Sequence, residues 1–193
     1  MSLDSTDSDL THNIILVGFM GCGKSTIARE ISQRLGYPLV DTDDLIVSQE
    51  GREVREIFES DGQEHFRDLE TSLLKSLTTR HDKSKIISTG GGLPLREQNR
   101  EMLKELGYVV WLQAGVETIF ERTSRTNKRP LLQTEDPRET INTMLTERNH
   151  IYADASHLTI QTDDLSINEV AHGIIESACY YFSKIWKFRI LLK

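Results

Sequence analysis

Eight residues near the amino terminus, Gly18-Phe19-Met20-Gly21-Cys22-Gly23-Lys24-Ser25, complete a G-x-x-x-x-G-K-[ST] pattern. The pattern constrains the fold because it works only between a strand and a helix. Both flanks are present. Asn13-Ile14-Ile15-Leu16-Val17 is a short apolar run that reads as a buried strand, and Ile27, Ile31 and Leu35 recur at helical spacing over residues 26–35. Glycines let backbone N–H groups approach an anion with no side chain in the way, and the helix N-terminus adds partial positive charge. The expectation is a phosphate site just beyond a first strand.

The rest of the chain alternates in the same way. A second strand begins at Leu39-Val40 and ends at Asp41-Thr42-Asp43, followed by helical stretches over residues 44–50, 53–60 and 63–79. Lys85-Ile86-Ile87-Ser88 reads as a third strand running into Thr89-Gly90-Gly91-Gly92. A helix over 96–106, a strand over 108–112 and a helix over 116–124 come next. Residues 125–135 are polar, basic and broken by Pro130, and read as a mobile loop. Asp136-Pro137-Arg138-Glu139 is a strong helix start, with Asp as cap and Pro in the first turn, for a helix to about Tyr152. Leu158-Thr159-Ile160 is a last strand, and Ser166-Ile167-Asn168-Glu169 is a capping box opening the final helix. Such alternation predicts an α/β fold with a parallel sheet covered on both faces. Ligands of such sheets bind beyond the carboxyl ends of the strands. That rule puts the phosphate loop, the Asp-Thr-Asp turn and the triple glycine on one rim.

At 193 residues the chain suits one domain over 12–193, with residues 1–11 as a disordered tail. A formal charge of −7 argues against a nucleic-acid surface. Only Cys22 and Cys179 are present, which indicates no disulfide framework and suits a reducing cytoplasm. No secretory signal is apparent, and no apolar run approaches the roughly 20 residues of a membrane helix. A monomer acting on small molecules is expected. Oxidation of Cys22 in the phosphate loop could block nucleotide, although a small residue that simply fits is the plainer use.

The rim residues carry the chemistry. Lys24 can reach the β- and γ-phosphates of a nucleotide, and the Ser25 hydroxyl is placed to ligate Mg²⁺. Of Asp41 and Asp43, one carboxylate near Ser25 would hold the metal directly or through its waters. The other can accept hydrogen bonds from substrate hydroxyls and take a proton, although Asp43 could instead cap the helix after it. Gly90, Gly91 and Gly92 imply close backbone approach, with N–H groups available to an anionic or hydroxylated ligand. Arg67, with Glu70 one turn on, and Arg148, four residues before Tyr152, suit a carboxylate, unless they are solvated surface residues. Arg122, Arg125, Lys128 and Arg129 read as a cationic lid that could close over phosphates, with Pro130-Leu131-Leu132 as its apolar anchor favouring this over a merely solvated charge run. Together these parts describe ATP, Mg²⁺ and a small acceptor with hydroxyls and a carboxylate.

From Gly18 to Tyr152 these residues also follow a known pattern. The chain resembles shikimate kinases over about residues 13–178, through the phosphate loop to Thr26, Asp41-Thr42-Asp43, Phe58 with Asp61-Gly62, Phe66-Arg67 with Glu70, the triple glycine, Arg129-Pro130-Leu131-Leu132, and Glu147-Arg148 with Tyr152. The resemblance implies a fold like nucleoside monophosphate kinases, with a five-stranded parallel sheet, a substrate-binding subdomain over about 42–70 and a lid over about 123–135. It implies transfer of the ATP γ-phosphoryl group to the 3-hydroxyl of shikimate, in aromatic amino-acid biosynthesis. By position, Asp43, Arg67, Gly91 and Arg148 would bind shikimate, and Ser25 would ligate Mg²⁺ with Asp41 acting through water. Gly21, Cys22, Gly23, Lys24, Ser25 and Thr26 would hold the ATP phosphates, Arg129 would reach them from the lid, and Arg122 would pack near the adenine. The segment around Thr162–Ser166 on the adenine side is not distinctive, and Leu165 offers no polar group there. Residues 180–193 extend past many relatives. Two uses are open for them, a membrane or partner surface and a prolonged last helix packing on the body, and the second is expected.

A gluconate-type kinase shares the phosphate loop but resembles this chain less in the Asp-Thr-Asp turn and the triple glycine. A nucleotide kinase would need a base-reading pocket, for which no motif is visible. A regulatory module that had lost catalysis would show decay at Lys24, Asp43, Arg129 or Arg148, and all four are intact.

Overall fold

The structure is a computed structural model describing residues 12–79, 84–124, 132 and 134–191, with side chains placed as far as Lys184. The tail expected at 1–11 and the lid residues 125–131 lie outside the described residues. Strands β1 (Ile14–Val17), β2 (Leu39–Asp41), β3 (Ile86–Ser88), β4 (Tyr108–Gln113) and β5 (Leu158–Gln161) form a parallel sheet in the order β2-β3-β1-β4-β5. Every residue of β1 and β3 is buried, as expected of central parallel strands with helices on both faces. β5, at one edge, alternates between half-buried and exposed positions.

Helices α1 (Lys24–Leu35), α2 (Thr42–Glu50), α3 (Val54–Thr78), α4 (Glu97–Leu106), α5 (Val116–Ser124), α6 (Pro137–Ala155) and α7 (Ile167–Leu191) make the connections. Three boundaries near the glycine and acidic segments differ from the sequence expectation in ways that matter for the site. α1 opens at Lys24, so the phosphate-loop lysine and serine sit in its first turn. α2 opens at Thr42 with Asp41 as its cap, which puts Asp43 inside the helix. The stretches expected at 53–60 and 63–79 are one helix, α3, kinked at Gly62.

The sheet order brings the two glycine segments together. β1 and β3 are neighbours, and Thr89, just past β3, donates through both N–H and hydroxyl to the Leu16 carbonyl at 3.1 and 3.0 Å. The phosphate loop and the triple glycine therefore leave adjacent strand ends.

The opposite end of the sheet is closed by rings. Tyr108 opens β4 and lies 4.6 Å from the Tyr181 ring of α7, while Phe182 lies 4.7 Å from His12. His157 accepts from the Val109 N–H through Nδ1 at 3.0 Å, and its ring lies 4.9 Å from Tyr181. The start of the carboxyl-terminal extension thus packs on the body. Among the described residues, no helix is long and apolar enough to cross a membrane. Tyr181→Ala is expected to cost about 2 kcal/mol in urea unfolding, from lost ring packing. An unchanged midpoint would mean the extension adds nothing to the fold.

Candidate active site

Positive φ at Gly18, Gly21 and Gly23 (140°, 81° and 104°) turns the loop around its own N–H groups, a path open to glycine. Lys24 is buried, and its ammonium donates to the Gly18 and Phe19 carbonyls at 2.8 and 2.9 Å. The ammonium is thereby held across the loop mouth, where phosphate oxygens would arrive. Cys22 is buried with Sγ 3.8 Å from the Lys24 Nζ. Thr26 is exposed on the first turn of α1.

Ser25 donates to Asp41 Oδ2 at 3.3 Å and lies 3.4 Å from the Ser88 hydroxyl. The other oxygen of Asp41 accepts the Asp43 N–H at 3.1 Å, so one carboxylate caps α2 and faces Ser25 together. These hard oxygens fit Mg²⁺, which takes few protein ligands and keeps waters and substrate phosphates. No cluster of three His, Cys, Asp or Glu that could cage a metal occurs among the described residues.

The three glycines after β3 each meet a different part of the site. A Cβ on Gly90 would collide with Asp43 Oδ1 and stand 3.0 Å from Glu70 Oε1. One on Gly91 would lie in ordinary contact with the phosphate-loop backbone, 3.4 Å from the Met20 nitrogen. One on Gly92 would fall on the Arg67 guanidinium. Gly90 donates its N–H to the Thr42 hydroxyl at 2.9 Å, while the Gly91 and Gly92 N–H groups have no partner among the described residues.

Arg67 is 8% exposed and fully buried Glu70 accepts from it at 2.6 Å. The guanidinium carbon lies 5.9 and 5.8 Å from the Phe58 and Phe66 ring centres. It is therefore a held, desolvated cation and not a surface arginine. α4 braces this helix from behind. Arg96 binds Asp68 at 2.6 Å and Glu64 at 3.0 Å, and fully buried Asn99 joins Thr71 to the Leu93 carbonyl. Arg148 is half-buried on α6, its guanidinium carbon 5.8 Å from the Phe19 ring centre.

On the nucleotide side, Arg122 is exposed on α5 and donates to the Gly21 carbonyl at 3.3 Å. Arg129 lies outside the described residues. Sequence reasoning missed the strap after β5. Both Asp163 oxygens accept the Gly115 N–H, at 3.0 and 3.1 Å, tying the strap to the start of α5. Thr162 donates to the Gln113 carbonyl at 3.1 Å and reaches the Cys22 carbonyl at 3.4 Å. The only sequence signal for these two was their place just past a strand end. Asn99 carried none, as one polar residue in a polar helix.

A loop of this kind, opening a helix beyond β1, with an acidic strand end facing its serine, defines a phosphotransferase of the nucleoside-monophosphate-kinase type. The family model for shikimate kinase matches residues 20–179. The chain is 43% identical to the shikimate kinase of Actinobacillus pleuropneumoniae serotype 5b over 164 residues, 85% of this chain and 94% of that one. The shikimate kinase of Thermodesulfovibrio yellowstonii is 41% identical over 164 residues, covering 85% and 93%. Among solved structures, the shikimate kinase of Acinetobacter baumannii in complex with shikimate matches with a TM-score of 0.83 at 36% identity, covering 92% of this chain and 98% of that chain. This chain belongs to the shikimate kinase family.

Burial pushes the Glu70 carboxyl up to about 7, against the pull of Arg67 and with Asp43 adding to the rise. Folded protein then keeps a proton there that the unfolded chain has lost, so stability falls as pH rises from about 4.5 to about 7. The cost is absent below that window and complete above it. Glu70→Gln mimics the protonated form, so its melting temperature relative to the parent should climb between about pH 5 and about pH 8. A difference independent of pH would show that Glu70 does not titrate there.

Proposed function

We propose that this chain transfers the γ-phosphoryl group of ATP to the 3-hydroxyl of shikimate, giving shikimate 3-phosphate and ADP on the route to chorismate and aromatic amino acids. One observation carries the reading: the triple glycine packs against the phosphate loop at Gly91, Asp43 at Gly90 and Arg67 at Gly92. A phosphate donor, a hydroxyl acceptor and a carboxylate anchor thus converge on three consecutive residues. Membership of the family and the shikimate-bound structural neighbour support the choice of acceptor.

Each residue has a distinct task. Backbone N–H groups from Gly21 to Thr26 hold the phosphates of ATP, and Lys24 moves from its loop carbonyls onto the β- and γ-oxygens. Ser25 and, through water, Asp41 would hold Mg²⁺, which when bound neutralises charge on the transferring phosphate. Arg67, Arg148 and the Gly91–Gly92 amides fix the carboxylate of shikimate, a bidentate task suited to guanidinium. That grip sets the ring so that the 3-hydroxyl meets Asp43, which orients it and accepts its proton. Arg129 closes from the lid over 123–135, and Arg122 packs beside the adenine. Residues 42–70 serve as the acceptor-binding subdomain of one kinase domain, working as a cytoplasmic monomer without nucleic acid or membrane.

ADP release in the presence of Mg²⁺ tests the assignment, with shikimate, gluconate and nucleoside monophosphates offered separately. Turnover is expected with shikimate alone. Release with gluconate or a nucleoside monophosphate instead would reject the acceptor. Asp43→Asn should lower kcat by roughly a hundredfold or more, with ATP affinity nearly unchanged. Undiminished turnover would remove Asp43 from the proton transfer.

A further inference from the structure

Tyr152 is fully buried on α6, its ring centre 6.0 Å from that of Trp111 on β4. Its hydroxyl donates to the Gly91 carbonyl at 2.7 Å. A phenol has one proton, so that bond commits it, and the oxygen lone pairs remain for a donor. Arg148 stands one helical turn earlier on the same face of α6. Burial pushes the phenol up to about 12, so it remains a donor at any working pH.

The direction of the bond has a consequence one residue further on. The Gly91–Gly92 peptide is planar and trans, so its N–H points opposite to its carbonyl. With the carbonyl held by Tyr152, the Gly92 N–H faces the other side of the peptide and is unpartnered among the described residues. Gly92 is also the residue whose missing Cβ makes room for Arg67. The Tyr152 hydroxyl therefore fixes the peptide that carries the Gly92 N–H, and Gly92 in turn makes room for the Arg67 guanidinium.

We propose that Tyr152 is the positioning residue of the acceptor's carboxylate site, its hydroxyl holding the Gly91 carbonyl and so aiming the Gly92 N–H. The inference rests on shikimate being the acceptor. It assigns Tyr152 no contact with substrate. Its role is to hold a group that makes contact, so removing it should weaken recognition of the carboxylate and leave the rest of the acceptor site in place.

Tyr152→Phe keeps the ring in its packing and removes only the oxygen. Initial rates are measured for parent and variant with shikimate and with the alcohol in which a hydroxymethyl group replaces the carboxylate. The expected result is a KM for shikimate raised about tenfold, with the KM values for ATP and for the alcohol moved less than about twofold. Equal losses on both acceptors would reduce Tyr152 to a structural residue, and an unchanged KM for shikimate would overturn the inference outright. A parent enzyme inactive with shikimate would instead reject the acceptor assignment, and this inference with it. Should the variant fail to fold, the Gly92 amide resonance of the parent decides the question. It should move downfield when shikimate binds, and a resonance that stays in place would overturn the proposal.

Discussion

The interlock at Gly90-Gly91-Gly92 is the constraint on which the rest of the site depends. Three residues without side chains let three elements close on one short segment: α2 with Asp43, the phosphate loop with its backbone, and α3 with Arg67. At Gly90 and Gly92 the contact is closer than a Cβ would allow, and at Gly91 the phosphate-loop backbone lies at ordinary contact distance. Glycine carries an entropic cost in an ordered segment, and here it is offset by what the close approach brings together. The sheet order makes that approach possible, because β3 and β1 are neighbours and both segments leave at the same rim.

The acceptor side is built as a desolvated polar network, and its order comes from pairing. Arg67 and Glu70 form a buried ion pair, a type of contact that contributes little net stability yet is costly to break from one side. Its value lies in geometry, since the guanidinium has few other places to go. The bracing behind it, through Arg96, Asn99 and Thr71, fixes α3 to α4 and to the turn after the glycines. The nucleotide side uses another device. There the strap at Thr162 and Asp163 binds mainly to backbone, so strand end, α5 and phosphate loop are registered by main-chain groups.

Much of this was legible in the residues. The phosphate loop, the strand ends and the Asp136 and Ser166 helix starts follow local rules, since each depends on neighbours within a few positions. Asp43 shows where local rules stop. As a sequence feature it could equally cap a helix, and only the structure assigns that task to Asp41, leaving the Asp43 side chain beside Gly90. The kink at Gly62 likewise joins stretches that read as two helices. Asn99 gave no usable signal, and Asp163 only its place past a strand end, because their partners lie on other elements.

From the chain alone one reads the inventory: an alternating α/β chain, an anion loop at its first strand end, and acidic, glycine and arginine residues suited to a kinase. Periodicity, capping and loop chemistry are properties of neighbouring residues, and they survive without any fold. Assembly came from the folded arrangement. Strand order set the glycine segments side by side, burial made Arg67 a fixed cation and lifted Glu70 above its usual range, and the Tyr152 hydroxyl met a carbonyl on a distant segment. Those outcomes depend on which elements share an edge and which groups lose water, and neither is encoded within any one stretch of chain.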